Sequence, residues 1–538
     1  MTDGRNSDKI ATINVRCDDV DDDGPADLER ALSKTGFGAF NVLLLLAALP
    51  VAWTGIFDTT TTAFVLASAE CDLALTFFRK GVLVAFPFVG TILTSFLWDH
   101  VTPYVGARNL FVLGLLVDTV LNILSSVVDS YHVFLTIKFL SGVLVGGPFS
   151  MVLQYLSEFH SAQYKASYAR WAGLAVNAAI VVPAVVAFSV LPQPWIVEIF
   201  YRQYNAWRLY LLICSVVPLI GLLTACTLPQ SPKYLVDIGR PDQALELLRR
   251  MYTINKWKSA DSYPIKAILG WRNAQLSRRS FLKENSEKIR LASYNAKLLF
   301  SAPYLRAVSL LGILQFGSSL AFNTMRLWVP HLFIILNNFD NESWTENRAP
   351  TMTEMLNRRN SVPAKEYLSC PYFEDICIKW TIKAMVYQNS AIIAFSTVVV
   401  AFLAGTITNS DCRKKTLLLV GLLISVGSCF GINWAQAPPY MLTLAAAIIV
   451  TSRVALNIVT AVNVDVIPVP LRATNGTVLT TLGNVGAILG NIIFSTLLDL
   501  EPIAAFIGLG CLMLACSIVS FALPRPVKAL QVLDGTKA

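Results

Sequence analysis

The chain has 538 residues, of which 54% are apolar and 14% carry a formal charge, against roughly 25% charged in an ordinary soluble protein. Its apolar residues fall in blocks of about 20, the length that crosses a bilayer, rather than in amphipathic stripes, and ten cysteines are too sparse for a disulfide scaffold. Soluble, disordered and disulfide-stapled classes are excluded, leaving an all-α integral membrane protein.

In chain order, residues 1–37 are polar and contain the acidic run 18–23. No cleavable signal is visible, so the first apolar stretch is expected to act as an uncleaved signal behind a solvated, disordered tail. Windows of about 19 residues place spans starting near Gly38, Phe77, Arg108, His132, Ser167 and Trp207. A polar segment at 229–303 follows, with 14 Lys or Arg against 6 Asp or Glu, a formal +8 equal to that of the whole chain. Further spans start near Tyr304, Ala384, Thr416, Tyr440, Thr474 and Ile503. The expected organisation is a tail at 1–37, a six-helix bundle at 38–228, a basic linker at 229–303, a second six-helix bundle at 304–523 and a tail at 524–538. That makes twelve transmembrane helices, with a long loop at 338–383.

Lys and Arg resist translocation, so the linker is expected in the cytosol, together with both termini, and the 338–383 loop outside the cell or in a lumen. Asn341-Glu342-Ser343 is a glycosylation sequon usable only on that side. Cys370 and Cys377 share the same loop, where an oxidising compartment allows them to bridge. The sequon at Asn475 falls at the mouth of a span and is expected to be inert. The basic linker carries no aromatic platform or helix-turn-helix pattern, so no nucleic-acid partner is expected.

The two halves repeat. Glu158 and Lys165 bracket the loop after span 4, Asp465 and Arg472 the loop after span 10, and Arg108 and Lys415 start spans 3 and 9, all at one offset of 307 residues. Parallel six-span repeats are the architecture of a transporter whose halves rock about a midplane site. Glu158, Lys165, Asp465 and Arg472 are then gating candidates, as latches between the halves; simple positive-inside anchoring explains the same charges.

Several motifs resemble the synaptic vesicle glycoprotein 2 and related-protein branch of the major facilitator superfamily. Asp27-Leu28-Glu29-Arg30-Ala31-Leu32 with Gly36-Phe37-Gly38-Ala39-Phe40 is similar to its approach to span 1, and Ser68-Ala69-Glu70-Cys71-Asp72, Lys80-Gly81 and Leu97-Trp98 to its span 1 to span 2 region. Gln154-Tyr155-Leu156-Ser157-Glu158-Phe159 resembles its span 4 exit, and Pro229-Gln230-Ser231-Pro232-Lys233-Tyr234-Leu235 the signature it shares with organic ion and sugar transporters. Residues 244–252 resemble the branch's amphipathic linker helix, and Arg472-Ala473-Thr474 with Gly483, Gly486 and Gly490 the start and small-residue face of span 11. The resemblance implies the major facilitator fold. Departures accompany it: Pro103 stands at the acid position of the span 2 to 3 loop, Ala107 interrupts the basic turn between Gly106 and Arg108, and in the second half Asn409 and Cys412 replace an acid and a glycine.

A charge at mid-bilayer normally faces a cavity or a partner. Asp58, Lys138, Arg326 and Arg453 are such charges on spans 1, 4, 7 and 10. The branch often has two span 1 acids; Gly55 holds the first position here, which leaves Asp58 as that span's proton-coupling candidate or as a snorkelling acid. Lys138 reads as an interhelical pair or a ligand contact. Arg326, with Asn323, Trp328 and Pro330, is expected to break span 7 and grip an anionic or zwitterionic ligand, or to cap the carbonyls of the broken helix. Tyr155 and Asn457 complete the substrate or ion candidates, and Gly142, Gly146 and Gly147 read as packing surfaces. The four histidines form no cluster, and no Walker loop or nucleophile elbow is present. No metal, cofactor or enzymatic activity is therefore expected. Two functions compete: a monomeric carrier for a small organic solute working by alternating access, with a proton as the candidate coupling ion and a lean to anions or zwitterions, or a transport-deficient binding or trafficking partner. The home membrane is the cell surface or a vesicle.

Overall fold

In hydrocarbon every backbone N–H and C=O must be satisfied within the chain, so long apolar blocks fold as helices. A computed structural model describes residues 26–199, 202–268, 294, 296–302, 304–339, 349–360, 382–407, 411–436 and 438–523. Among them, twelve helices are long and apolar enough to cross a membrane. Spans 1 to 6 are Ala39–Val65, Phe77–Val105, Ala107–Val127, Tyr131–Ser157, Ala162–Val190 and Ala206–Thr227. Spans 7 to 12 are Leu305–Asn337, Ala384–Ile407, Cys412–Trp434, Pro438–Val466, Val469–Leu500 and Pro502–Phe521. Spans 5, 9 and 11 start earlier than hydropathy places them, at Ala162, Cys412 and Val469, because their first turns are helical but polar. The fold is the major facilitator fold, two six-helix bundles.

The surface that carries the linker is called the linker face, and the opposite surface the far face. Residues 1–25, including the acidic run, lie outside the described residues, as do Asn341, Cys370, Cys377, Asn409 and the tail 524–538. The rest of the tail corrects the expectation of disorder. Leu28–Thr35 is a helix whose N-cap, Asp27, accepts from Leu28 N at 2.8 Å. It is pinned to the linker, where Tyr263 Oη donates to Ala31 O at 2.8 Å and Ala26 pairs with Ile268. The linker helix Pro241–Lys256 buries Ala244, Leu245, Leu248 and Met251 along one face. Two further departures from a purely helical chain with plain loops lie on the far face. A hairpin, Ile196–Ile199 with Arg202–Asn205, joins spans 5 and 6, and a short helix, Met352–Asn360, occupies part of the 338–383 loop.

The repeat recurs as paired contacts. Arg108 at the start of span 3 donates through Nη2 to Cys226 O at the end of span 6, at 2.7 Å. Lys415, its counterpart on span 9, donates through Nζ to Leu523 O just beyond span 12. Each pair closes one half at the linker face. Within the first half, spans 2 and 4 approach so closely that a Cβ on Gly142 would lie 2.1 Å from Pro87 O, which only glycine permits.

Span 4 is irregular where it passes the centre. Val145–Phe149 forms a wide π-type turn around Pro148. A proline has no N–H to give and its ring collides with the carbonyl four residues back, and a π-bulge accommodates both by inserting one residue. Span 5 has a tight turn at Ala178–Ile180. Span 7 overturns the expected break: Leu305–Asn337 is one continuous helix with Pro330 inside it, and the irregular turns beside the cavity belong to spans 4 and 5.

Candidate functional site

A cavity of about 520 Å³ lies between the halves. Three spans line it with the same spacing: Ala52, Gly55, Ile56 and Thr59 of span 1; Ser319, Phe322, Asn323 and Arg326 of span 7; and Arg453, Leu456, Asn457 and Thr460 of span 10. Positions i, i+3, i+4 and i+7 share one helix face, so each span turns a single stripe to the centre. Span 4 contributes Val145, Phe149 and Ser150 from its wide turn, span 5 contributes Asn177 from its tight turn, and span 11 contributes Thr480 and Asn484. A second cavity of about 200 Å³ continues toward the linker face between spans 5 and 8, past Arg170, Gly173 and Thr406, and shares Arg453 and Asn457 with the first.

The structure therefore gathers Asn323, Arg326, Arg453 and Asn457 into one lining. Arg326 Nη1 donates to Thr60 Oγ1 at 2.8 Å and Nη2 to Asn323 Oδ1 at 3.3 Å, while its Nε is buried without an acceptor. Arg453 Nη2 donates to Asn177 Oδ1 at 2.6 Å. Both guanidinium carbons lie 5.4 Å from the centroid of the Phe322 ring. Tyr155 and Trp328 are elsewhere. Tyr155 is buried toward the linker face, where its hydroxyl donates to Pro229 O at 2.6 Å and its ring meets Phe111 and Phe159. Trp328 is buried at the far face against Phe77, His331 and Phe494.

Asp58 and Lys138 belong to a second, buried cluster behind the span 1 lining. Asn122 Nδ2 donates to Asp58 Oδ1 at 3.0 Å and to Asp118 Oδ2 at 2.9 Å. Lys138 Nζ is fully buried, makes no hydrogen bond, and lies within Coulomb range of both carboxyls. Asp118 escaped the sequence reading although it is an acid well inside span 3, four residues before Asn122; that placement was the available signal. Two carboxyls and one ammonium are electroneutral only with one proton aboard.

The far ends of the halves are knit together across the interface. Lys80 of span 2 is fully buried, pairs with Glu70 Oε2 at 2.7 Å, and sits 3.1 Å from His331 Nε2 of span 7. Phe77 stacks on Trp328 with centroids 6.2 Å apart. Tyr387 Oη of span 8 donates to Phe64 O of span 1 at 3.3 Å. Lys80, Glu70 and His331 were not singled out from the sequence as a cross-half group, because their contact joins residues about 250 positions apart. Cys71 beside them is disulfide-bonded, a bond that the spacing argument did not anticipate.

At the linker face Glu158, Asp465 and Arg472 have partners that do not cross between the halves. Glu158 accepts from Ser231 Oγ, the residue that also caps the helix Pro232–Asp237. Asp465 pairs with Lys414, Arg472 Nε donates to Ile467 O at 2.8 Å, and Lys165 is exposed. A cross-half contact near this face is the ring pair Trp171 and Phe402, 5.3 Å apart. Between spans 4 and 5, His160 Nδ1 bonds Leu156 O and its Nε2 faces Asn41 Nδ2, each at 2.9 Å. Burial lowers the imidazole's pKa, and the bond to Leu156 offsets part of that shift. Asn475 is buried inside span 11 and donates to Asn463 Oδ1 at 2.6 Å, which leaves it no room for a glycan.

Comparison with known proteins gives a family and a fold. The family profile described as "Sugar (and other) transporter" matches residues 56–325. Synaptic vesicle glycoprotein 2A of Rattus norvegicus is 23% identical over 380 residues, which cover 67% of this chain and 51% of the relative. Synaptic vesicle glycoprotein 2B of Rattus norvegicus is 24% identical over 230 residues, covering 42% of this chain and 34% of the relative. The chain thus spans about half the length of the 2A relative and less of 2B. Among solved structures, the partially occluded inward-open xylose transporter XylE from E. coli superposes with a TM-score of 0.60 at 13% identity, covering 90% of this chain and all of that one. A D-xylose-proton symporter superposes with a TM-score of 0.58 at 13% identity, covering 91% and 99%. These structural likenesses are likenesses of fold.

Proposed function

The chain belongs to the sugar (and other) transporter family, and from that premise we propose that it carries a small organic anion or zwitterion across its membrane, as a monomer, by alternating access between its two halves. The observation that carries this reading is the cavity lining. Its charged members are arginines, Arg326 and Arg453, surrounded by amides and hydroxyls from Asn177, Asn323, Asn457, Ser319 and Thr59. A neutral sugar does not need two guanidiniums at the centre of the membrane, whereas an anion offsets the cost of placing their charge there.

In this reading the linker face is cytosolic. The basic linker favours it, and so does the thiol chemistry: Cys71 at the far face is disulfide-bonded, while Cys226 and Cys412 at linker-face helix ends are exposed and free. The Asp58, Asp118, Lys138 cluster is the candidate proton site, since taking up or releasing one proton changes whether its charges cancel. Glu158, Asp465 and Arg472 become latches only if they exchange their present partners when the linker face closes, and Lys165 only if it gains one. The far loop would carry a glycan on Asn341.

A second reading, a membrane protein that serves as a binding or trafficking partner, is favoured by the same gating charges, because they are committed within each half. Uptake into liposomes separates the two. Purified full-length protein is expected to move at least one radiolabelled anion or zwitterion from a broad panel, and Arg453→Gln is expected to abolish that uptake. Movement of neutral sugars or cations alone contradicts the anion reading, and movement of no solute favours the partner reading.

A further inference from the structure

Resting on the anion reading, we propose that Arg326 and Arg453 form a two-point seat for a small organic dianion, such as a short dicarboxylate, and that in the empty cavity the same two guanidiniums tie the halves together.

The charge count comes first. The described linings of the two cavities contain Arg170, Arg326 and Arg453, and no Asp, Glu or Lys. Arg170 is exposed near the linker-face end of span 5, so a run of positive charge leads from that face to the centre. There the two inner guanidiniums flank one ring, each 5.4 Å from the Phe322 centroid. They are therefore no farther apart than twice that distance, within reach of the two ends of one short ligand. Each carries one positive charge at mid-membrane, and one negative charge compensates it.

The hydrogen-bond inventory agrees. A guanidinium offers five N–H donors in a fixed fork suited to carboxylates. Among the described residues the acceptors are neutral, Thr60 Oγ1 and Asn323 Oδ1 on Arg326 and Asn177 Oδ1 on Arg453. Arg326 Nε is buried and has no acceptor. A buried donor left unmet is costly, and a carboxylate arriving beside Phe322 would satisfy it. Phe322 itself offers an apolar surface to the carbon chain between the two acid groups.

Both arginines stand on the second half, on spans 7 and 10, and two of their acceptors stand on the first: Thr60 on span 1 and Asn177 on span 5. Asn177 is held in place because its own Nδ2 donates to Gly173 O at 2.6 Å. A charged carboxylate is a stronger acceptor than a hydroxyl or an amide oxygen. Seating the dianion therefore exchanges two cross-half bonds for two ligand bonds, and the empty carrier loses its central ties when it fills.

The test is equilibrium binding to the purified full-length protein, using malonate, succinate, glutarate and adipate beside butyrate, monomethyl succinate and xylose. At least one diacid is expected to bind about tenfold or more tightly than its monoester or a monoacid. Arg326→Lys and Arg453→Lys, checked for monodispersity by gel filtration, are each expected to reduce that diacid to monoacid affinity. Thr60→Val and Asn177→Ala are expected to raise diacid affinity severalfold, because they free guanidinium hydrogens in the empty state. Equal binding of diacids and monoacids overturns the dianion seat while the anion reading stands. Binding of xylose alone overturns both, and binding of no diacid overturns the seat. Weaker diacid binding by Thr60→Val and Asn177→Ala overturns the ties.

Discussion

The two faces of the molecule use their charges in opposite ways. At the far face, Lys80, Glu70 and His331 are drawn into one buried group that crosses from the first half to the second. At the linker face, Glu158, Ser231, Lys414 and Asp465 are paired inside their own halves, and the larger cavities lie toward that side. A buried ammonium that reaches across the halves holds a closed end, and an end whose charges are satisfied within each half is left able to part. Two near-repeated halves thus reach an asymmetric state by where their charges find partners.

The comparison is broken most severely at Gly81. A Cβ there would lie 2.0 Å from Ser495 Oγ and 2.8 Å from Asn491 O on span 11, so Gly81→Leu is expected to forbid far-face closure and to abolish transport in liposomes. Next comes the buried ammonium. Lys80→Met removes the group that reaches His331 across the interface, and a hydrogen bond to a charged group contributes roughly 1.5–3 kcal/mol. The closed far end is expected to weaken by about tenfold or more, read as faster thiol labelling of a cysteine placed at Phe64.

A smaller effect is expected with pH at the linker face. His160 accepts from Asn41 only while neutral, and its pKa lies below the usual 6.5 because it is buried. A group with a lowered folded pKa contributes stability that is complete above the unfolded value and lost as pH falls through the folded one. Thermal stability should therefore fall on acidification below about pH 6.5, and His160→Gln should flatten that part of the profile. Smallest of all is Asp465→Asn, which removes a pair within one half. The change in unfolding free energy is expected to stay under about 1 kcal/mol, with far-face labelling unchanged.

Much of this was legible in the sequence because the bilayer leaves few choices. Hydropathy marked the spans, and Arg326, Asn323, Arg453 and Asn457 could be grouped because a charge within a span needs a cavity or a partner. Two candidates failed for helical reasons. Trp328 lies two residues from Arg326, and residues two apart do not share a face, so it turns to the far-face aromatic group. Tyr155 follows the wide turn at Val145–Phe149, and an inserted residue rotates everything after it by about 100°. Asp118 and Lys80 were missed because their meaning depends on Asp58 and His331, which only folding brings near. The short helix Leu28–Thr35 was hidden in a polar tail because its stability comes from docking on the linker.

Rocking of the two halves about the cavity is read out by spin-label distances in liposomes. Labels at Ser189 and Met385 report the far ends of spans 5 and 8, and labels at Lys165 and Thr406 the linker-face ends, with the exposed thiols Cys226, Cys412 and Cys511 changed to serine. Going from the parent to Lys80→Met, the far pair is predicted to separate while the linker-face pair draws together. Two distances that stay fixed, or that lengthen together, would contradict that rocking.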